Sequence, residues 1–113
     1  MDMNNALSAL SALSQKTRLE TFRLLIKAGP AGMAAGEIAA NLDVVQNTMS
    51  THLAALTRAG LIQRVRDGRS IRYSAEFDGI RDLLIYLLQD CCQGDTKICA
   101  PIFESLACIT SVP

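Results

Sequence analysis

The feature that most limits the fold of this chain is an abrupt change in its hydrophobic period at Gly60. Apolar residues before this glycine recur at the i, i+4, i+7 spacing of a helix, whereas residues 61–75 alternate between apolar and polar. The helical positions are Met49, Leu53 and Leu56. Asp67-Gly68 divides the alternating segment, and this dipeptide is a strong signal for a tight hairpin turn. The sequence therefore predicts a helix over residues 46–59 that ends at Gly60 and passes directly into a two-stranded β-hairpin.

Apolar periodicity predicts four more helices around this unit. The five predicted helices cover residues 4–13, 14–28, 36–42, 46–59 and 79–90. The first carries the stripe Leu7, Leu10, Leu13 and the fifth carries Leu83, Leu84, Leu87, Leu88. The order α-α-α-α-β-β-α predicts a mainly α fold with a β-hairpin wing, which is the winged helix-turn-helix arrangement. We expect a single domain over residues 1–113, in which residues 91–113 form a cysteine-containing tail.

Basic and acidic residues are separated along the chain even though its net charge is zero. Residues 46–75 contain five arginines and one aspartate, so this segment carries a charge of +4. Residues 76–113 contain two basic and six acidic residues and carry a charge of −4. A local basic patch is what the neutralisation of phosphates requires, although charge alone is equally typical of a solvated face.

The predicted helix over residues 46–59 begins with a polar front. Its short amide and hydroxyl side chains are Gln46, Asn47, Thr48, Ser50 and Thr51, and His52 follows them. A plain surface helix favours Glu and Lys, and capping would explain one of these residues but not five. Short polar side chains at the front of a helix read base edges in the major groove. We therefore predict that these residues, with His52 as a further groove residue, bind double-stranded DNA.

The predicted hairpin supplies the second part of a DNA-binding surface. Its alternation predicts one face with Val65, Ile71 and Tyr73, and an opposite face with Arg64, Arg66, Arg72 and Ser74. Arg69 lies next to the turn. Arginines in this position would contact phosphates or an adjacent minor groove. A winged helix that binds a protein instead of DNA is the alternative, since a fold does not determine a function.

These segments together resemble the ArsR/SmtB family of metalloregulatory repressors. The resemblance covers about residues 4–90. It rests on the following segments: Leu42 to Leu53, Leu56, Ala59-Gly60-Leu61-Ile62, Asp67-Gly68-Arg69, and Thr17-Arg18-Leu19 before Phe22-Arg23-Leu24-Leu25. It implies a homodimer built through the first and fifth helices, which binds a palindromic operator. It also implies an inducing ion or small molecule that weakens DNA binding.

The chain departs from the common members of this family at three places. Residues 33–39 contain no cysteine, although many arsenical and cadmium sensors carry a cysteine motif on this third helix. The fifth helix contains Asp82 but no histidine, although zinc sensors place histidine ligands there. Val45 is apolar where the family usually has a Ser or Thr helix cap. Both common sensing sites are therefore absent from this sequence.

The four cysteines lie in the last quarter of the chain, at Cys91, Cys92, Cys99 and Cys108. In a reducing compartment such a cluster is more typical of a metal, metalloid or redox site than of a disulfide framework. Three thiolates suit a soft three-coordinate ion, so Cys91, Cys92 and Cys99 are predicted to bind trivalent arsenic or antimony as an inducer. The arrangement also resembles a subset of arsenic-responsive members of the family. Redox sensing by the same thiols is the alternative, and Cys108 is expected to be accessory or structural.

Other classes of protein receive little support from the sequence. There is one histidine, no glycine-rich phosphate loop and no pair of carboxylates in an apolar setting, so we do not expect an enzyme. No run of 18 apolar residues and no basic leader segment is present, so a cytoplasmic protein is expected. No cofactor is expected to be required for folding.

Overall fold

The computed structural model describes residues 1–89, 100–102, 104 and 105. Its helices are α1 (Met3–Leu13), α2 (Lys16–Ala28), α3 (Ala35–Leu42), α4 (Gln46–Arg58) and α5 (Phe77–Leu88). Its strands are β1 (Met33–Ala34), β2 (Ile62–Asp67) and β3 (Ser70–Ala75), and they form one antiparallel sheet in the order β1-β3-β2. The predicted class, mainly helical with a β-hairpin wing, is confirmed.

The sheet contains one strand more than the sequence predicts. Met33 pairs with Tyr73 and Ala34 pairs with Arg72, so β1 extends the β2–β3 hairpin at the β3 edge. Two residues are too few to display a period of two, and this strand forms through its tertiary partner alone. β1 attaches the segment that precedes α3 to the hairpin.

The starts of two helices, α2 and α5, differ from the prediction by two residues. Gln15, not Ser14, caps α2, since its Oε1 accepts a hydrogen bond from the Arg18 amide at 2.8 Å. Ser14 instead closes α1, donating from its backbone amide and its hydroxyl to the Ser11 carbonyl. α5 begins at Phe77 rather than at residue 79, so Phe77 and Asp78 are helical instead of lying in the preceding loop.

The hydrophobic core lies where α2, α3 and α4 pack against each other and against the base of the hairpin. Its largest fully buried side chains are Leu25, Ile38, Met49, Leu53, Leu56 and Leu61. Thr21 is also fully buried, and its hydroxyl donates to the Thr17 carbonyl at 2.7 Å. Burial of a side chain such as Leu stabilises the fold by about 1.5–3 kcal/mol. The three buried side chains of α4 therefore position that helix firmly while its other face stays in solvent.

α5 begins directly on the C-terminal end of α4. A Cβ added to Gly79 would overlap the carbonyl oxygen of Gly60, so the two backbones touch. The amide of Glu76 also donates to the carbonyl of Leu61 at 2.9 Å. Only glycine permits this approach at position 79, and the start of α5 is consequently attached through main-chain contacts to the residues that follow α4.

α1 buries its alanines and exposes two of its three leucines. Ala6, Ala9 and Ala12 pack into the core, whereas Leu7 and Leu10 are 56% and 41% exposed. α5 likewise exposes Leu84, Ile85 and Leu87. We refer to Leu7, Leu10, Leu84, Ile85 and Leu87 as the α1/α5 apolar surface. None of the helices in the described part of the chain is long and apolar enough to cross a membrane.

Candidate nucleic-acid interface

The polar front of α4 is exposed as a group. Gln46, Asn47, Thr48, Ser50 and Thr51 are all exposed, whereas Met49 and Leu53 are completely buried on the opposite side. The Thr51 hydroxyl donates to the Asn47 carbonyl at 3.3 Å, which keeps this side chain close to the helix. The remaining amides and hydroxyls of the front form no side-chain hydrogen bond within the described residues. They are available to pair with groups outside the protein.

A sharp turn between α3 and α4 orients this front toward solvent. Asp43 ends α3 in the left-handed region at φ 53°, and the Val44 amide donates to the Ala39 carbonyl at 3.0 Å. α4 then starts with Val45 as its N-cap, which provides no side-chain cap. Asn47 and Thr48 lie inside the helix, so capping does not explain their presence. The uncapped first-turn amides leave a partial positive charge at this end of α4.

The hairpin places its arginines on two faces instead of one. Arg64 pairs with Tyr73 and Arg66 pairs with Ile71, so these four side chains share a face. Val65 pairs with Arg72 and therefore lies on the other face. The prediction that Arg64, Arg66 and Arg72 share one face, opposite Val65, Ile71 and Tyr73, is wrong. In an antiparallel pair joined by a two-residue turn, even-numbered residues of one strand face odd-numbered residues of the other.

Arg72 is held within the fold. Its Nε donates to the Ala31 carbonyl at 2.9 Å and its Nη2 donates to the Gly32 carbonyl at 2.8 Å. Its Nη1 also lies 3.6 Å from Oε1 of Glu37. These partners engage all three guanidinium nitrogens, which ties β3 to the segment before α3. Of the four predicted arginines, Arg72 is thus the least available for an external phosphate.

The other three arginines remain exposed around the hairpin. Arg64 and Arg66, together with Ile71, line an open cleft of about 250 Å³. Arg69 lies in the turn, next to Gly68 at φ 62°. Within the described ranges none of the three forms an ion pair. Exposed guanidinium groups of this kind can bind phosphate oxygens in a bidentate manner.

His52 is half-buried on α4, and its surroundings oppose a positive charge. Burial lowers the pKa of His52 from its usual value, and the nearby Arg18 guanidinium lowers it further. Nδ1 of His52 and Nε of Arg18 are both buried without a hydrogen-bond partner among the described residues. The sequence indicated no role for Arg18, because the α2–α4 contact that brings it to His52 is tertiary. His52 therefore belongs to the packing between α2 and α4 as well as to the α4 front.

The predicted thiol site lies outside the described residues, since Cys91, Cys92, Cys99 and Cys108 all fall there. Within the part of the chain that the structure describes, no three His, Cys, Asp or Glu side chains are grouped so as to hold a metal ion.

Comparison with known proteins places the chain among transcriptional regulators. A family model described as a helix-turn-helix domain matches residues 13–65. The transcriptional repressor SdpR of Bacillus subtilis is 30% identical over 96 residues, which is 85% of this chain and all of SdpR. A putative arsenical resistance operon repressor, ArsR, of Halobacterium salinarum is 37% identical over 70 residues, which is 62% of this chain and 54% of that protein.

Solved structures agree with this placement. An ArsR-like transcriptional regulator from Rhodococcus superposes with a TM-score of 0.71 at 31% identity, covering 86% of this chain and 89% of that one. A homodimeric winged helix-turn-helix DNA-binding domain from Mycobacterium bovis superposes with a TM-score of 0.64 at 27% identity, covering 78% and 81%. The fold and the exposed α4 front are those of a winged helix-turn-helix regulator. The chain belongs to the ArsR family of transcriptional regulators, and the prediction of a regulator rather than an enzyme is confirmed.

Proposed function

We propose that this protein is a transcriptional repressor that inserts α4 into the major groove of an operator. Gln46, Asn47, Thr48, Ser50 and Thr51 would read base edges, with His52 at the rear of this surface. The observation that carries the proposal is the exposure of this whole polar front on a helix whose other side is fully buried. Arg64, Arg66 and Arg69 would bind phosphates, and Arg72 would hold the hairpin in place.

The proposed repressor is a homodimer formed through α1 and α5. Their exposed leucines and isoleucine support this, because an apolar area of this kind is typical of an interface. The M. bovis relative is described as homodimeric. A two-fold axis would present two α4 helices to successive major-groove turns, so the operator should be palindromic.

The proposed inducer is trivalent arsenic or antimony bound by Cys91, Cys92 and Cys99. Support comes from the sequence, since three thiols follow soon after α5 ends at Leu88. The similar protein of H. salinarum is named as a putative arsenical resistance repressor. The start of α5 touches Gly60, just after α4, through Gly79, so a shift of the whole α5 helix has a main-chain route to the DNA-reading helix.

The DNA-binding proposal is tested by the salt dependence of binding to duplex DNA. A surface that neutralises phosphates releases counterions, so the affinity should fall steeply and linearly on a log–log plot against salt. Fluorescence anisotropy on a labelled duplex, enriched by the full-length protein from a randomised library, measures this slope. An affinity that does not change with salt, or a failure to enrich any sequence, would contradict the proposal.

The inducer proposal is tested by adding arsenite to the preformed complex. Arsenite should release the wild-type protein, while a variant with Ser at positions 91, 92 and 99 should stay bound. Full release of that variant would show that the thiols are not the site. Release by peroxide that dithiothreitol reverses, with no release by arsenite, would favour the redox alternative. The Cys108→Ser variant is the matched control and should respond like the wild type.

A further inference from the structure

Two adjacent valines at the start of α4 have opposite environments. Val44 is half-buried against the core, and its amide donates to the Ala39 carbonyl at 3.0 Å. Val45 is 71% exposed, the highest value among the large apolar residues that the structure describes. The turn at Asp43 therefore directs one valine inward and presents the other to solvent.

The main chain of Val45 is part of the first turn of α4. Its carbonyl accepts the first hydrogen bond of α4, from the Met49 amide at 2.9 Å, which fixes the main chain at the helix start. A β-branched side chain has few accessible χ1 rotamers, so little side-chain entropy is lost when its methyl groups pack against a partner. The helix gains nothing from this residue, because valine is a poor N-cap and gives no side-chain cap here. A residue type that lowers helix stability without a visible structural benefit is typical of a functional position.

The location of Val45 separates it from the α1/α5 apolar surface. It precedes Gln46 and Asn47, the first two residues of the polar front of α4. The apolar group that base edges present in the major groove is the C5-methyl of thymine. An apolar side chain at the leading end of a base-reading helix therefore matches a thymine methyl.

We propose that Val45 contacts the C5-methyl group of one thymine in each half of the operator, and so adds a thymine preference to the polar reading by α4. This inference rests on the proposed DNA-binding function. It assigns a specificity role to a residue that carries no hydrogen-bonding group and lies outside the helix proper.

The test replaces single thymines by deoxyuridine, which lacks the methyl group but keeps the same base-pairing edge. The probe is a duplex enriched from a randomised library by the full-length protein, substituted at one thymine position at a time. Wild-type protein should lose about fourfold in affinity at one position in each half-site, as expected for one buried methyl. The Val45→Ser variant should bind the thymine and deoxyuridine duplexes equally at that position.

Two features keep this experiment decisive. Serine is a preferred N-cap, so Val45→Ser should melt at the wild-type temperature or above, and a loss of methyl discrimination is then not a folding defect. Val65→Ser alters another exposed valine, on the hairpin, and should keep the wild-type thymine profile. An unchanged profile in Val45→Ser, or no thymine methyl that matters to the wild type, would overturn the inference while leaving DNA binding intact. Failure to enrich any duplex would instead overturn the proposed function itself.

Discussion

Arg72 of β3 donates a hydrogen bond from its Nη2 to the carbonyl oxygen of Gly32, at 2.8 Å. The two residues are brought together by a tight crossing, because Gly32 adopts φ 67° and a Cβ there would overlap the Tyr73 carbonyl oxygen. A second bond, from Nε to the Ala31 carbonyl, completes the attachment. The sequence predicts Arg72 as a DNA contact, but in the structure this residue attaches the hairpin to the segment before α3.

Replacement of Arg72 by alanine should lower the stability of the fold. Two backbone carbonyls lose a charged donor, so the free energy of unfolding should fall by about 1–3 kcal/mol. Urea denaturation followed by circular dichroism measures this change. The matched control is Arg69→Ala in the exposed turn, which should stay within about 0.5 kcal/mol of the wild type. Equal stability of the two variants would contradict the assignment.

Replacement of Gly79 by alanine should destabilise the protein even though Gly79 is helical. An alanine in a helix normally stabilises by about 0.5–1 kcal/mol relative to glycine. At position 79 the added Cβ would overlap the Gly60 carbonyl oxygen, so a loss of about 1–3 kcal/mol is expected instead.

The control for this prediction is Gly36→Ala. Gly36 lies in α3, and an added Cβ there would have no neighbour within 4 Å. This change should therefore raise the melting temperature, while Gly79→Ala lowers it. A rise in both variants would show that the close contact between α4 and α5 does not exist in solution.

Acidification should destabilise the folded protein through His52. Its pKa is lowered in the folded state, so the unfolded chain binds the proton more readily. The stabilising effect of the neutral ring is present above the unfolded pKa of 6.5 and is lost as the pH falls from there through the lower folded pKa. Unfolding by urea at about pH 7.5 and about pH 5.5 should show a larger loss for the wild type than for His52→Asn. The same loss of stability on acidification in both proteins would show that His52 is not its cause.

A charge on α5 should prevent dimerisation. Ile85 is 53% exposed on the α1/α5 apolar surface, so Ile85→Glu should leave the monomer folded but place carboxylates across the proposed interface. Sedimentation equilibrium should show a dimer for the wild type and a monomer for this variant. Leu19→Glu, at a 44% exposed position on α2, is the control and should remain dimeric. A dimer in both variants would place the interface elsewhere.

The sequence predicts those parts of the fold that carry a strong local period. Met49, Leu53 and Leu56 mark the buried side of α4, so the sequence predicts this helix over residues 46–59, and it extends from Gln46 to Arg58. No local pattern predicts β1, since its two residues are extended only through pairing with β3. The sequence places the start of α5 two residues late, because Gly79 resembles a helix breaker and its contact with Gly60 is tertiary.

In the candidate site, too, the features that follow a local period can be predicted from the sequence, and those that depend on tertiary contacts cannot. The exposure of the α4 front follows from helical periodicity alone, so the sequence was sufficient to predict it. The faces of the hairpin follow from its cross-strand pairing, because a two-residue turn places even-numbered residues of β2 beside odd-numbered residues of β3. The turn residues are Gly68-Arg69 instead of Asp67-Gly68, but either turn puts Val65 and Ile71 on opposite faces, so shared hydrophobicity does not place them together. No local pattern predicts that Arg72 donates to backbone carbonyls 40 and 41 residues before it in the chain.

The central claim is that the α4 front reads bases while the hairpin arginines hold phosphates. The most direct measurement is the affinity of Asn47→Ala and Arg66→Ala for the enriched duplex and for a scrambled duplex, over a range of salt. Asn47→Ala should lose about 1–3 kcal/mol on the enriched duplex only. Arg66→Ala should weaken both duplexes and reduce the salt slope by about one. Equal losses on both duplexes for both variants, with an unchanged slope, would contradict this division of roles.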